Sequence, residues 1–209
     1  MLKLNEDNAH KTVCYTVGHS NHDISVFIEL LNKHEIEKII DVRSVPYSKY
    51  VPEYNRDELN RYLEREDIDY EFKGDTLGAR HTDEKFLTNS KVDFSKVRKD
   101  EYYKESIKKL VEEIKGGSKI SLMCSEKNPF NCHRFVLVSY SLKKMGVNVK
   151  HILGDGGILS NEKLEEKLLS TYGLDFKQTT LFGEKKSKKE ALETAYKKRN
   201  FDISYSVKR

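Results

Sequence analysis

The sequence predicts a three-layer, Rossmann-like α/β domain with a mostly parallel sheet, followed by a basic helical C-terminal tail. Three observations predict it. Short β-branched apolar runs alternate with stretches of helical apolar spacing along the chain. The first strand, helix and strand fall within a span suited to a βαβ crossover, which pairs strands in parallel. The length of 209 residues suits one large domain, or one domain with an appendage.

The elements follow in order. Val13-Cys14-Tyr15-Thr16-Val17 is short, β-branched and bounded by Gly18, which reads as a buried strand. Ser20 or Asn21 is expected to cap a helix running to His34, with Ile24, Phe27, Ile28 and Leu31 on one face. Lys38-Ile39-Ile40-Asp41-Val42 is the second strand. Residues 44–56 form a loop marked by Pro46 and Pro52, and Asn55 opens a helix with Glu58 placed for a capping box. Residues 73–99 have no clear period. A helix then runs from Asp100 to Lys115, with Tyr103, Ile107, Leu110 and Ile114 in line before Gly116-Gly117. Lys119 to Met123 is the third strand, ending at Cys124. A helix near Cys132 carries Phe135, Val138, Leu142 and Met145, and Val147 to Ile152 is the fourth strand. Ser160 is expected to cap a last core helix that stops at Gly173. Residues 1–174 thus read as the α/β domain and 175–209 as a connector with a lysine-rich helical tail.

Composition narrows the function classes. Mean hydropathy is −0.72, and no apolar run approaches the ~20 residues of a membrane span. The first seven residues lack the apolar core of a secretory signal. Three cysteines, at 14, 124 and 132, make no disulfide framework, so a cytoplasmic protein is expected. The net charge is +4, and residues 184–199 supply all of it: seven Lys/Arg against Glu184, Glu190 and Glu193. The body is therefore not a basic nucleic-acid binder; only the tail has that character.

Three strands end in polar clusters: Gly18-His19-Ser20-Asn21, Asp41-Val42-Arg43-Ser44, and Cys124-Ser125-Glu126, whose following helix opens at Cys132-His133-Arg134. Ligands of open parallel sheets bind beyond the carboxyl ends of the strands, so these clusters are expected to meet on one rim. Cys124, beyond a buried strand and near a helix N-terminus, His133 and Arg134, suits a nucleophile or sulfur carrier. Zinc at Cys124, Cys132 and His133, with His19 as a further ligand, ranks below a reactive thiol, and a Cys124–Cys132 disulfide below zinc. Nine residues separate Cys124 from Arg134, which argues against a cysteine phosphatase loop. Cys14 and His151 are expected to be core residues, and Gly154-Asp155-Gly156-Gly157 a plain turn rather than a phosphate cradle.

Thr16-Val17-Gly18-His19-Ser20-Asn21, Asp41-Val42-Arg43-Ser44-Val45-Pro46-Tyr47-Ser48, Leu77-Gly78, Met123-Cys124-Ser125-Glu126 and Cys132-His133-Arg134 occur in the order of the domain of unknown function 488 family, which the chain resembles from about Val13 to Ile152. The resemblance implies a compact α/β domain. The chain departs from it at Ala79, where the family usually has glycine. Ile40-Asp41-Val42-Arg43 and the Cys124 region are also similar to rhodanese-type sulfurtransferases, which implies Cys124 as a persulfide carrier, in a longer loop without glycines.

The first functional expectation is an enzyme, a thiol-dependent transferase or hydrolase acting on an anionic substrate. Cys124 is its nucleophile; His133, His19, Glu126 and Asp41 are candidate catalytic groups; Arg43, Arg134, Ser20, Ser44 and Cys132 are candidate binding groups. The alternative is a nucleotide- or nucleic-acid-binding domain in which Arg43, Arg134, His19 and Ser20 hold phosphate and Tyr47, Tyr50 and Tyr54 stack on bases. A third is a partner-binding module using the tail stripe Ala191, Leu192, Ala195 and Tyr196.

Overall fold

A computed structural model describes residues 12–174 and 187–207. Along the chain the strands are β1 (Val13–Gly18), β2 (Lys38–Asp41), β3 (Asp69–Phe72), β4 (Leu87–Thr88), β5 (Lys91–Val92), β6 (Ile120–Cys124), β7 (Asn148–Ile152) and β8 (Ile158–Ser160). The helices are α1 (Ile24–Lys33), α2 (Arg56–Glu64), α3 (Gly74–Leu77), α4 (Phe94–Val97), α5 (Glu101–Lys115), α6 (Tyr140–Lys144), α7 (Asn161–Thr171) and α8 (Lys188–Ile203). The main sheet has the order β3-β2-β6-β1-β7-β8, parallel throughout except for antiparallel β8. β4 and β5 make a separate two-residue hairpin. Among the described residues no helix is long and apolar enough to cross a membrane.

Apolar side chains alternate across the sheet and build two cores, which makes the fold three-layered. Val17, Ile39, Met123 and Ile152 pack with Phe27 and Leu31 of α1 and with Leu59 and Leu63 of α2 on one face. Cys14, Ile40, Leu122 and Val149 pack with α5, α6, α7 and α8 on the other. Each fully buried Leu or Phe contributes about 1.5–3 kcal/mol of transfer free energy. Cys14 lies in that second core, where burial raises its thiol pKa and leaves it inert.

Several local expectations change. α1 begins at Ile24 after Asp23, not after Ser20 or Asn21, because the amides of His19 and Ser20 still bond to the carbonyls of Cys124 and Ser125. The chain thus follows β6 for two further residues before Ser20 turns it with a φ of 52°. Asn55 precedes α2 without capping it; its side chain accepts from the Ser48 amide instead. β3, β8 and the small hairpin were not expected. The helix after Cys132 starts as a π-helix, Arg134–Ser139, buried all round, and Met145 is exposed. Ser160 caps α7 as expected, accepting from the Lys163 amide, whereas Asp100, read as the first helical residue, is the cap of α5 and accepts from the amides of Tyr102 and Tyr103.

The helix α8 docks on the body. Ala191, Ala195 and Tyr196 are buried, so the stripe expected to meet a partner is covered by the chain itself. Asn200 fixes the dock: its Oδ1 accepts from the Phe94 amide (2.8 Å) and its Nδ2 donates to the Val92 carbonyl (2.9 Å). Lys188, Lys189, Lys197 and Lys198 face solvent, while Lys185 and Lys186 of the basic run lie outside the described residues.

Candidate active site at the strand ends

β2, β6 and β1 are adjacent, so their C-terminal ends form one rim. The chain leaves β1 and β2 into helices on one face and leaves β6 into helices on the other, which opens a crevice at the rim. Gly18 is required there: a Cβ would collide with the Glu126 carbonyl oxygen.

A cavity of about 220 Å³ opens at this rim, with Arg43, Cys124, Cys132 and His133 on its wall. Cys124 ends β6, and Cys132 and His133 sit just before the π-helix, a helix form found frequently at functional sites. The Sγ atoms of Cys124 and Cys132 each lie 3.7 Å from His133 Nδ1. His133 Nε2 donates to the Val42 carbonyl (2.9 Å), which fixes the ring and turns Nδ1 toward the sulfurs. A hydrogen bond from the Cys132 thiol holds the Cys124 thiol well below its ordinary range against the effect of burial, and His133 adds to it. The Cys132 thiol is pushed up by burial and by that same shared proton. These three side chains offer one ligand atom each within 4.8 Å of one another, a set able to hold a soft cation.

Arg43 is oriented by Asp41. The fully buried carboxylate accepts from Arg43 Nε (2.9 and 3.1 Å), Arg43 Nη2 (2.7 Å), the Arg43 amide and the Tyr70 hydroxyl (2.7 Å). Both oxygens are engaged, so Asp41 positions the guanidinium rather than moving protons. Nη1 of Arg43 lies 3.4 Å from His19 Nε2. His19 Nδ1 donates to the Ser20 carbonyl, and the ring stacks on Tyr54 at 4.1 Å. Burial, aided by Arg43, lowers the His19 pKa to about 4, so the ring is neutral near pH 7 and faces Arg43 as an acceptor.

The remaining expected groups divide. Ser44 lines the cavity, but its Oγ accepts from the amides of Ala79 and Arg80 (both 2.9 Å), so it braces the neighbouring loop. Ala79 is half-buried there and packs against the second core. Glu126 is exposed at the cavity edge. Arg134 is fully buried and donates to the carbonyls of Glu126 and Lys127; it ties down the Cys124 loop instead of offering a fork to a ligand. Neither Ser20 nor His19 is on the cavity wall. Tyr54 is buried against His19 and is not available for bases, whereas Tyr47 and Tyr50 are exposed. The amides of Phe130, Asn131 and Cys132 bond within the loop, so they form no cradle around the Cys124 sulfur.

Sequence reasoning missed Arg80, Asn131 and the C-terminal pair Ile203 and Tyr205, which complete the wall. The Arg80 guanidinium lies over the Tyr205 ring at 5.5 Å. Arg199 of α8 donates to the Phe130 carbonyl (3.0 Å) and to Asn131 Oδ1, bracing the loop between the two cysteines. Only Arg80, next to the Gly78 turn, had a local signal.

No curated protein and no solved structure matches the chain. A family model described as a domain of unknown function, DUF488, matches residues 23–141, which include Arg43, Cys124, Cys132 and His133 but neither His19 nor Tyr205. That match covers more than half of the sequence, and the chain belongs to the DUF488 family.

Proposed function

We propose that the chain is a thiol-dependent enzyme in which Cys124 attacks a small substrate bearing an anionic group. One observation carries this reading: Cys124 lines the cavity with an oriented imidazole and a buried, carboxylate-braced guanidinium on the same wall. Three features support the roles. His133 Nδ1 faces the sulfur, while Nε2 is held by a carbonyl, so the ring accepts a proton from the thiol without turning. The Cys132 thiol lies within 4.8 Å of the Cys124 sulfur and favours its anionic form. Arg43 engages Asp41 through Nε and Nη2 and His19 through one N–H of Nη1, which leaves the second N–H of Nη1 for the anion, with Arg80 on the same wall. His19 is a positioning residue for Arg43.

The test is alkylation of the reduced, metal-free chain with iodoacetamide, read residue by residue by mass spectrometry. Cys124 is expected to react first and Cys14 not at all, and millimolar phosphate or sulfate is expected to slow Cys124 several-fold. Arg43→Gln is expected to abolish that protection. A Cys124 that reacts no faster than an ordinary cysteine, or that ignores the anions, defeats the reading.

A further inference from the structure

We propose that Cys124, Cys132 and His133 form a three-ligand site for a borderline-soft divalent cation, zinc by preference, with its fourth position open to the cavity. This goes beyond the thiol reading and does not depend on it. The argument is geometric. A tetrahedral zinc ion with bonds of about 2.3 Å to sulfur and about 2.05 Å to nitrogen sets its ligands about 3.6 Å apart for S and N, and about 3.8 Å for S and S. Both sulfur-to-Nδ1 separations here are 3.7 Å, and the two sulfurs lie within 4.8 Å. The sulfurs thus need to approach each other by at most about 1 Å.

The surroundings match what a bound cation requires. A metal-ligating histidine donates its other ring nitrogen to a carbonyl or carboxylate, and His133 Nε2 donates to the Val42 carbonyl at 2.9 Å. That bond leaves Nδ1 as the nitrogen facing the sulfurs. The Arg134 amide points at Cys132 Sγ (3.5 Å), the kind of N–H···S contact that favours a thiolate ligand. Two of the three ligands are consecutive residues, placed by the turn that enters the π-helix, and the third is delivered by the end of β6. All three are buried, yet all three line the cavity. The fourth position therefore goes to water or to an anionic ligand entering beside Arg43, the open arrangement of three protein ligands plus an exchangeable one. Closing the pair as a disulfide instead needs the sulfurs to come to about 2.05 Å, a far larger movement.

Occupancy has a direct consequence. With the cation bound, Cys124 Sγ is a ligand, and the thiol chemistry proposed above belongs to the metal-free chain.

The test titrates cobalt(II) into the full chain, reduced and stripped of metal by a chelator that is then removed. Binding is expected to saturate at one equivalent with a thiolate-to-cobalt charge-transfer band and the d–d absorption of a four-coordinate ion. Cys132→Ser is expected to weaken binding by more than about 100-fold, beyond the roughly 10- to 100-fold cost of disturbing an outer-shell partner. Cys14→Ala is expected to leave both spectrum and affinity unchanged. In the unmutated chain, one equivalent of zinc is expected to protect Cys124 and Cys132 from alkylation, a reading that needs no variant to fold. A missing charge-transfer band, unprotected thiols at one equivalent of zinc, or unaltered affinity in Cys132→Ser overturns the site. Fast alkylation of Cys124 without a cobalt band removes the cation and keeps the thiol reading; a cobalt band with sluggish alkylation in chelator does the reverse.

Discussion

Two buried histidines on the same sheet show how differently one side chain is used. His151 on β7 has Thr16 Oγ1 at 2.8 Å on one nitrogen and Asn161 Oδ1 at 3.3 Å on the other. Beyond it the chain of bonds continues through Asn161 and Glu165 to Tyr196 and Lys143, joining β1, β7, α6, α7 and α8. Both nitrogens of that ring meet a side chain, while Lys143, Glu165 and Tyr196 at the far end of the chain of bonds line a cavity of their own. His133 is equally held at the back, by the Val42 carbonyl, but its front nitrogen meets two thiols and then open space. The first arrangement is a bolt between elements. The second leaves its outward side on the wall of a cavity. Burial alone therefore does not distinguish the two rings; what distinguishes them is that His151 has a side-chain oxygen on each nitrogen, whereas the outward nitrogen of His133 meets thiols on a cavity wall.

The largest effect expected from breaking this contrast comes from Arg43→Met. It strands the fully buried Asp41 charge, and urea denaturation is expected to show a loss of about 3–5 kcal/mol. A loss near zero would mean the Asp41–Arg43 pair is more hydrated than its burial implies. Next comes Asn161→Ala in the His151 cluster, with an expected loss of about 1–3 kcal/mol. Its Cys124 alkylation rate is expected to stay within twofold of the parent; a larger change would show that the two clusters are coupled.

A pH difference sharpens the contrast further. Burial, with Arg134 nearby, lowers the His151 pKa to about 3 from an ordinary 6.5, so the folded chain holds a neutral ring. The corresponding stability is complete above pH 6.5 and is lost as pH falls toward 3, where the unfolded state binds the extra proton. The parent is therefore expected to lose stability relative to His151→Gln across that window, read as the difference between their urea midpoints. Parallel curves would mean His151 is protonated in the fold. The smallest effect is that of Cys124→Ser, expected to change stability by no more than about 1 kcal/mol. A larger loss would make Cys124 part of the framework.

Much of the fold was legible, for physical reasons that also explain the gaps. β1, β2 and β6 are central strands buried on both faces, and their short apolar runs announce it. β3 reads Asp69-Tyr70-Glu71-Phe72, an edge strand half open to solvent, and carries no such run. The meeting of Arg43 and Cys124 at one rim followed from parallel strands with polar ends, but it depended on β6 pairing between β2 and β1, which no local pattern encodes. Arg134 misled because an arginine beside a cysteine and a histidine looks like a binding group. Its direction was decided by two loop carbonyls that needed donors. The role of α8 was hidden because its apolar stripe is the same whether it meets a partner or its own body.

Ile203 and Tyr205 on the cavity wall also set an order of assembly. Tyr205 follows Cys132 by about 70 residues, so at roughly 5–20 residues per second a ribosome finishes both thiols several seconds before the residues that complete the wall beside them. The wall beside Cys124 and Cys132 is therefore complete only once residues 203–205 are in place.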